Sequence, residues 1–67
     1  MASEFYRKKF GETTNGFVQV IGFTAHPDIH GNLTGVRYEV HHGRHTIGTY
    51  ASQKEAETVA QAIAPVA

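Results

Sequence analysis

The segment from Gly35 to Ala64 constrains the fold of this chain most, because it predicts two strands, a tight turn and then a helix. Gly43 and Arg44 fit the centre of a two-residue hairpin turn, in which glycine supplies the positive φ angle. This register gives the hairpin one apolar face and one polar face. The predicted pairs are His42 with His45, Val40 with Ile47 and Tyr38 with Thr49 on the apolar face, and His41 with Thr46, Glu39 with Gly48 and Arg37 with Tyr50 on the polar face.

The helix that follows has a clear start and one apolar stripe. Ser52 and Glu55 have the spacing of a capping box, in which side chains satisfy backbone N–H groups at the helix start. Pro65 is expected to end the helix. The stripe consists of Ala56, Val59, Ala60 and Ile63. Small alanines in this stripe predict that the helix lies close to the apolar face of the hairpin.

Two upstream segments also predict extended structure. Gly16 to Thr24 is rich in β-branched and aromatic residues and predicts a strand with two apolar faces. Glu4 to Phe10 predicts a further strand or an ordered arm. Residues 11–15 predict a turn and residues 24–35 a polar loop. The fold class is therefore α+β: a three- or four-stranded antiparallel sheet with one C-terminal helix packed on one face.

Composition limits the number of domains and the compartment. A chain of 67 residues predicts a single small domain, residues 1–67, in which residues 1–15 form an edge strand or a flexible arm. The chain has no cysteine, which excludes disulfides and thiolate zinc sites and fits a reducing compartment. No apolar run approaches the roughly 20 residues needed to cross a bilayer. We therefore expect a cytoplasmic protein without membrane contact.

Charge bears on the kind of partner. Six lysines and arginines balance six acidic residues, so the net charge is zero when the histidines are neutral. Strong nucleic-acid binding relies on neutralising phosphates with excess positive charge, so this balance favours a protein partner over nucleic acid. One helix leaves the second sheet face uncovered, and a homodimer through that face is a further option.

The candidate binding residues lie on the polar face of the hairpin and at its turn. They are Arg37, His41, Arg44, Thr46 and Tyr50. Arginine and tyrosine are enriched at the energetic centres of interfaces. The sequence has no catalytic motif, and Ser52 is explained as a helix cap. We therefore expect a non-enzymatic module with no catalytic residues and no cofactor.

Five histidines raise the alternative of metal binding. His26, Asp28 and His30 share one predicted loop, and His41, His42 and His45 surround the predicted turn. Zinc usually takes three or four such ligands, but this spacing matches no closed zinc site. The two groups also lie roughly 20 Å apart at about 3.3 Å per strand residue. We therefore assign no metal ligands and keep histidine-mediated metal binding as an alternative.

The last predicted strand ends with Ile47-Gly48-Thr49-Tyr50 and leads into a helix that starts with Ser52, Glu55 and Ala56 and continues with Ala60. This run, within residues 37–64, resembles the DNA-binding domain of the AP2 and integrase N-terminal type. That family packs one C-terminal helix on a three-stranded antiparallel sheet and binds DNA with the opposite face. The resemblance implies a DNA-binding regulator as an alternative function, with Arg37, His41 and Tyr50 at matching positions. Small phage-encoded inhibitors of host enzymes are similar in size and architecture.

Overall fold

A computed structural model describes residues 3–24, 26–27, 30 and 33–64 of the protein. Its elements are β1 (Ser3–Thr13), β2 (Gly16–Thr24), β3 (His26–Pro27), β4 (Leu33–Thr34), β5 (Arg37–His42), β6 (His45–Tyr50) and the helix α1 (Gln53–Ile63). β1, β2, β5 and β6 form a four-stranded antiparallel sheet in that order, and β3 and β4 pair separately. The predicted α+β class, with one helix on an antiparallel sheet, is confirmed.

β1 forms one edge of the sheet and is longer than predicted. It pairs with β2 as far as Thr13, so that only Thr14 and Asn15 remain for the turn predicted over residues 11–15. The loop predicted over residues 24–35 lies partly outside the described residues, and its described part contains β3 and β4.

The core lies between α1 and one face of the sheet. Val18 and Val20 of β2 and Val40 of β5 are fully buried, as are Ala56 and Ala60 of the helix. An alanine side chain ends at Cβ, so the helix backbone can approach the valines closely. Each buried valine contributes roughly 1.5–3 kcal/mol relative to an exposed one. The predicted apolar stripe of the helix is therefore confirmed as its core-facing side.

A capping hydrogen bond is formed at each described end of α1. Ser52 Oγ accepts a hydrogen bond from the backbone N–H of Glu55 at 3.1 Å, which confirms the predicted N-cap. At the other end the N–H of Ala64 donates to the carbonyl oxygen of Ala60 at 2.9 Å. Pro65, predicted to end the helix, lies outside the described residues.

A hydrogen bond ties the helix to the edge strand β1. Tyr6 Oη donates to a carboxylate oxygen of Glu57 at 2.6 Å, and Gln53 donates to the same oxygen at 2.7 Å. Burial and the bond to Glu57 raise the pKa of Tyr6 to about 12. The bonds from Tyr6 and Gln53 hold the pKa of Glu57 below its usual value. The pair therefore favours a neutral phenol and a charged carboxylate.

A β-bulge in β6 changes the predicted hairpin register. The two pairs nearest the turn are confirmed: His42 with His45 and His41 with Thr46. Ile47 is then an extra residue, so the following pairs are Val40 with Gly48, Glu39 with Thr49 and Tyr38 with Tyr50, and the predicted pairs there are wrong. Ile47 is 45% exposed instead of lying in the core. Regular alternation cannot reveal such an insertion, because a bulge adds one residue to one strand only.

The turns of the two hairpins lie side by side at one end of the sheet. The N–H of Gly43 donates to the carbonyl oxygen of Phe17 at 2.7 Å. Gly43 has φ +64°, as the predicted turn requires, and a Cβ at this position would lie 2.6 Å from the carbonyl oxygen of Asn15. A second positive φ, +124°, occurs at Gly16, where a Cβ would lie 2.8 Å from Gly43 Cα. Glycine at both positions allows the two turns to touch.

We expect Gly43→Ala to lower the free energy of unfolding by at least about 2 kcal/mol, since alanine costs roughly 1–2 kcal/mol in a left-handed conformation and its Cβ would also meet Asn15. Urea denaturation measures this loss. The control is Gly11→Ala, whose Cβ would lie an ordinary 3.4 Å from that of Ala64. Its expected change is within about 1 kcal/mol. Equal losses in the two variants would contradict the contact between the turns.

Tyr6→Phe should lower the free energy of unfolding by about 1 kcal/mol near neutral pH, the usual net contribution of one hydrogen bond. Glu57 has a lowered pKa in the folded state, so its contribution is complete above pH 4.5 and is lost as the pH falls through the lowered value. Tyr6 has a raised pKa, so its contribution is complete below pH 10.0 and is lost as the pH rises towards about 12. Urea denaturation across pH should therefore show the variant approaching the unmodified protein at both extremes. A constant difference would exclude the pair as its source.

Candidate interaction surface

The face of the sheet opposite α1, called the open face below, carries an apolar stripe along β2. Alternation along β2 places Phe17, Ile21 and Phe23 on this face, since Val18 and Val20 point to the helix. The polar residue Gln19 also lies on this face and interrupts the stripe after Phe17. Phe17 is 38% exposed at the turn end of the stripe. Ile21 is only 4% exposed and lies between its cross-strand neighbours on β1 and β5, Arg7 and Glu39. Side chains on the flanking strands therefore shield the middle of the stripe.

Two cations lie over the aromatic rings of this stripe. Lys9 Nζ is 5.8 Å from the ring centroid of Phe17, and the guanidinium carbon of Arg37 is 5.1 Å from that of Phe23. Such contacts contribute about 0.5–1 kcal/mol at exposed sites. The lysine and arginine stems also cover part of the rings, so the stripe is amphipathic along its borders.

Each lysine and arginine of the open face is paired with a glutamate of the same face. The salt bridges are Arg7 to Glu4 at 3.0 Å, Lys9 to Glu12 at 2.7 Å and Arg37 to Glu39 at 3.1 Å. Exposed pairs of this kind contribute little to stability, because water screens them. Their larger effect is electrostatic, because three cations and three carboxylates leave the face without net charge when His41 is neutral.

Glu39 is the most connected of these carboxylates. Its Oε1 lies 2.9 Å from His41 Nε2, while its Oε2 accepts from Arg37 Nε at 3.1 Å. These hydrogen bonds, that of His41 first, hold the pKa of Glu39 below its usual value, even though partial burial opposes the shift. Glu39 therefore remains a carboxylate at neutral pH and is bound to two of the predicted binding residues, Arg37 and His41.

Four of the five predicted binding residues lie where the sequence places them. Arg37, His41 and Thr46 share the open face, with His41 and Thr46 directly paired, and Arg44 is exposed at the hairpin turn. The fifth, Tyr50, lies on the helix face.

The position of Tyr50 is a correction to the predicted site. The bulge at Ile47 pairs Tyr50 with Tyr38, and both side chains pack against the core under the helix. The Tyr50 hydroxyl would lie 2.8 Å from a Cβ on Gly48, so the ring folds back over the glycine. Tyr50 is therefore part of the support of the sheet and does not extend the open face.

The sequence prediction did not include the apolar stripe or the β1 cations in the site. The signal was present, because the pattern of β2 predicts two apolar faces while one helix can cover only one of them. Combining these two observations identifies Phe17 as an exposed and Phe23 as a half-buried aromatic residue of the open face, with Arg7 and Lys9 on the neighbouring strand.

The described histidines do not gather with other potential ligands into a group of three. Within residues 3–24, 26–27, 30 and 33–64, no group of three or more His, Cys, Asp or Glu side chains is arranged to hold an ion. His42 Nε2 contacts Thr13 Oγ1, and His41 contacts Glu39. Asp28 and the side chain of His26 lie outside the described part of the chain. The same described ranges contain no helix long and apolar enough to cross a membrane.

In comparisons with known proteins, the chain matches no family model, no curated protein and no solved structure. The resemblance to the AP2 and integrase N-terminal domains therefore stays a prediction.

Substitution can test the position of Tyr50. Tyr50→Ala should lower the free energy of unfolding by about 1–3 kcal/mol, less than the roughly 3–5 kcal/mol expected for a fully buried aromatic residue. Thr46→Val keeps the shape and strand propensity of an exposed residue on the opposite face, and its change should stay within about 0.5 kcal/mol. Thermal and urea unfolding measure both values. A Tyr50→Ala variant as stable as Thr46→Val would place the ring in solvent.

Proposed function

We propose that this chain is a non-enzymatic binding module that acts by contact with a protein partner through its open face. The observation that supports this most is the apolar stripe of β2, whose flanking cations are each paired with a carboxylate. An exposed aromatic ring, Phe17, inside a polar border resembles the usual anatomy of protein interfaces. The chain contains no cysteine, which suits a reducing compartment, so we propose the cytoplasm as its location.

The charge pattern favours protein over DNA as the partner. A DNA-binding sheet presents free arginines and lysines to phosphates, and its affinity comes largely from the counterions that they release. On the open face, Arg37 is paired with Glu39 and the β1 cations with Glu4 and Glu12. A phosphate would have to displace these carboxylates and would remain close to them. A protein surface with an apolar centre and charges of both signs at its border has no such cost.

The module would act by occupying a surface of its partner, which is sufficient for an inhibitor or regulator. The partner's apolar group would lie over Phe17 and the edge of Phe23. Its border would exchange ion pairs with the glutamates and cations around the stripe. A second copy of this chain offers the same pattern, so self-association is one outcome that the test has to separate.

The test compares two exposed phenylalanines on opposite faces of the sheet. Phe17 on the open face and Phe5 on the helix side are each 38% exposed. The ring of Phe5 lies edge-on to that of Tyr38, with centroids 5.7 Å apart. Proteins crosslinked to the chain in cells that carry it are identified and purified. Their affinities are then measured by calorimetry for the unmodified chain, Phe17→Ser and Phe5→Ser, after NMR spectra confirm that both variants are folded.

We expect Phe17→Ser to weaken binding at least about tenfold, as loss of an aromatic interface residue does, while Phe5→Ser stays within about twofold. Equal affinities of the two variants would exclude the open face as the binding surface. Sedimentation that shows a Phe17-dependent dimer would assign the face to a second copy. A duplex of random-sequence DNA that shifts open-face amides at low salt, with loss of binding in Arg37→Ala, would replace this proposal by the DNA-binding alternative.

A further inference from the structure

A surface cleft lies where the two hairpin turns meet at one end of the sheet. It has a volume of about 580 Å³ and is lined by Asn15, Gly16, Phe17, Gly43, Arg44 and His45. We call it the tip cleft. Phe17 also ends the apolar stripe, so the tip cleft and the open face share one side chain. A partner segment that lies along the stripe therefore reaches the tip cleft.

Arg44 differs from most other cations of the chain in having no acidic partner within the described residues. Of the six lysines and arginines, four form salt bridges: Arg7, Lys8, Lys9 and Arg37. The other two, Arg44 and Lys54, form none with the described residues. Lys54 lies on the exposed side of α1. Within the described part of the chain, Arg44 alone combines a charge that has no acidic partner with an apolar wall.

The remaining lining makes the tip cleft amphipathic. Phe17 provides an exposed aromatic ring on one side, while His45 and the amide of Asn15 add polar groups. None of the described residues that line the cleft carries a carboxylate. Gly16 and Gly43 add only backbone to the lining, and a Cβ on either would meet the opposite turn.

We infer that the tip cleft binds an acidic side chain that stands next to an aromatic side chain in the protein partner. This inference rests on the proposed function and names the chemistry of the segment recognised. A guanidinium binds a carboxylate through two parallel N–H···O hydrogen bonds, a geometry that lysine cannot reproduce. The neighbouring aromatic ring would pack against Phe17 in an offset or edge-to-face arrangement. Charge and apolar surface are both needed, because an exposed ion pair alone contributes little.

A peptide fits this site better than a nucleic acid strand does. A strand presents one phosphate per nucleotide and gains affinity from several cations along its path. The tip cleft offers one arginine without an acidic partner among the described residues, and Lys9, which lies over Phe17, is already bound to Glu12 at 2.7 Å. A single carboxylate beside a ring matches this guanidinium beside a ring.

The experiment uses the dipeptide N-acetyl-Phe-Glu-amide as the probe and follows amide NMR shifts of the isotope-labelled full chain at low salt. N-acetyl-Phe-Gln-amide has the same shape without the charge. We expect the acidic dipeptide to shift the amides of Gly16, Phe17, Gly43 and Arg44 in a saturable manner and to bind at least about threefold more tightly than the neutral one. Arg44→Gln should remove this preference. Lys54→Gln removes the other unpaired cation and should leave binding unchanged.

Three results would overturn the inference. The acidic and neutral dipeptides could bind equally, which would exclude a role for the carboxylate. Lys54→Gln could weaken binding as much as Arg44→Gln, which would show only a general effect of net charge. A dinucleotide could bind more tightly than the acidic dipeptide, which would assign the cleft to nucleic acid.

The outcome is separable from that of the proposed function. The dipeptide tests the tip cleft without any partner, so partner binding that depends on Phe17 can persist when the dipeptide fails. If the dipeptide binds but the affinity for the partner does not depend on Phe17, the inference about the tip cleft is retained and the open face is rejected as the binding surface.

Discussion

The contact between the alanines of α1 and the valines of β2 and β5 supports the whole domain. Ala56 and Ala60 have no side chain beyond Cβ, which brings the helix close enough to bury Val18, Val20 and Val40 completely. A small domain buries only about 60% of the surface of its unfolded chain, so a dense contact of this kind matters more than it would in a larger protein. The hydrogen bond from Tyr6 to Glu57 adds a polar link between the helix and the outer strand β1, whose Phe10 belongs to the same buried cluster as the core valines.

The same arrangement explains why the open face is chemically mixed. β2 pairs with neighbours on both sides, and strand propensity favours β-branched and aromatic residues at each of its positions. The helix can cover only Val18 and Val20, so Phe17, Ile21 and Phe23 have to be shielded by other means. Cations from β1 and β5 lie over the rings, and glutamates neutralise the cations. An isolated module thereby limits the exposure of its apolar stripe without burying it permanently.

Local rules predict much of the fold and part of the candidate site. Ser52 as helix cap and Gly43 in the turn follow from backbone hydrogen bonding and from positive φ, which depend only on near neighbours in sequence. The position of Tyr50 depends instead on a bulge that lets its ring cover Gly48 and pack beside Tyr38. The stabilisation gained by this arrangement comes from tertiary packing. A two-residue periodicity in the sequence carries no information about it. The tip cleft could not be predicted from the sequence either, because it requires two turns that are distant in sequence to meet at Gly16 and Gly43.

The two edges of the sheet help to explain why contact through a face is the better proposal. An edge strand with free N–H and C=O groups can pair with a strand of another chain, and proteins prevent this with charged side chains and bulges. β1 has both, since it carries Arg7, Lys8 and Lys9 and two irregularities in its register. β6 contains no lysine, arginine or acidic residue. Its bulge at Ile47, however, interrupts the regular spacing that pairing with a strand of another chain needs. With both edges irregular, the apolar stripe of β2 is the surface that we propose for a partner. The tip cleft then gives that surface a direction, because Arg44, which has no acidic partner among the described residues, lies at only one end of it.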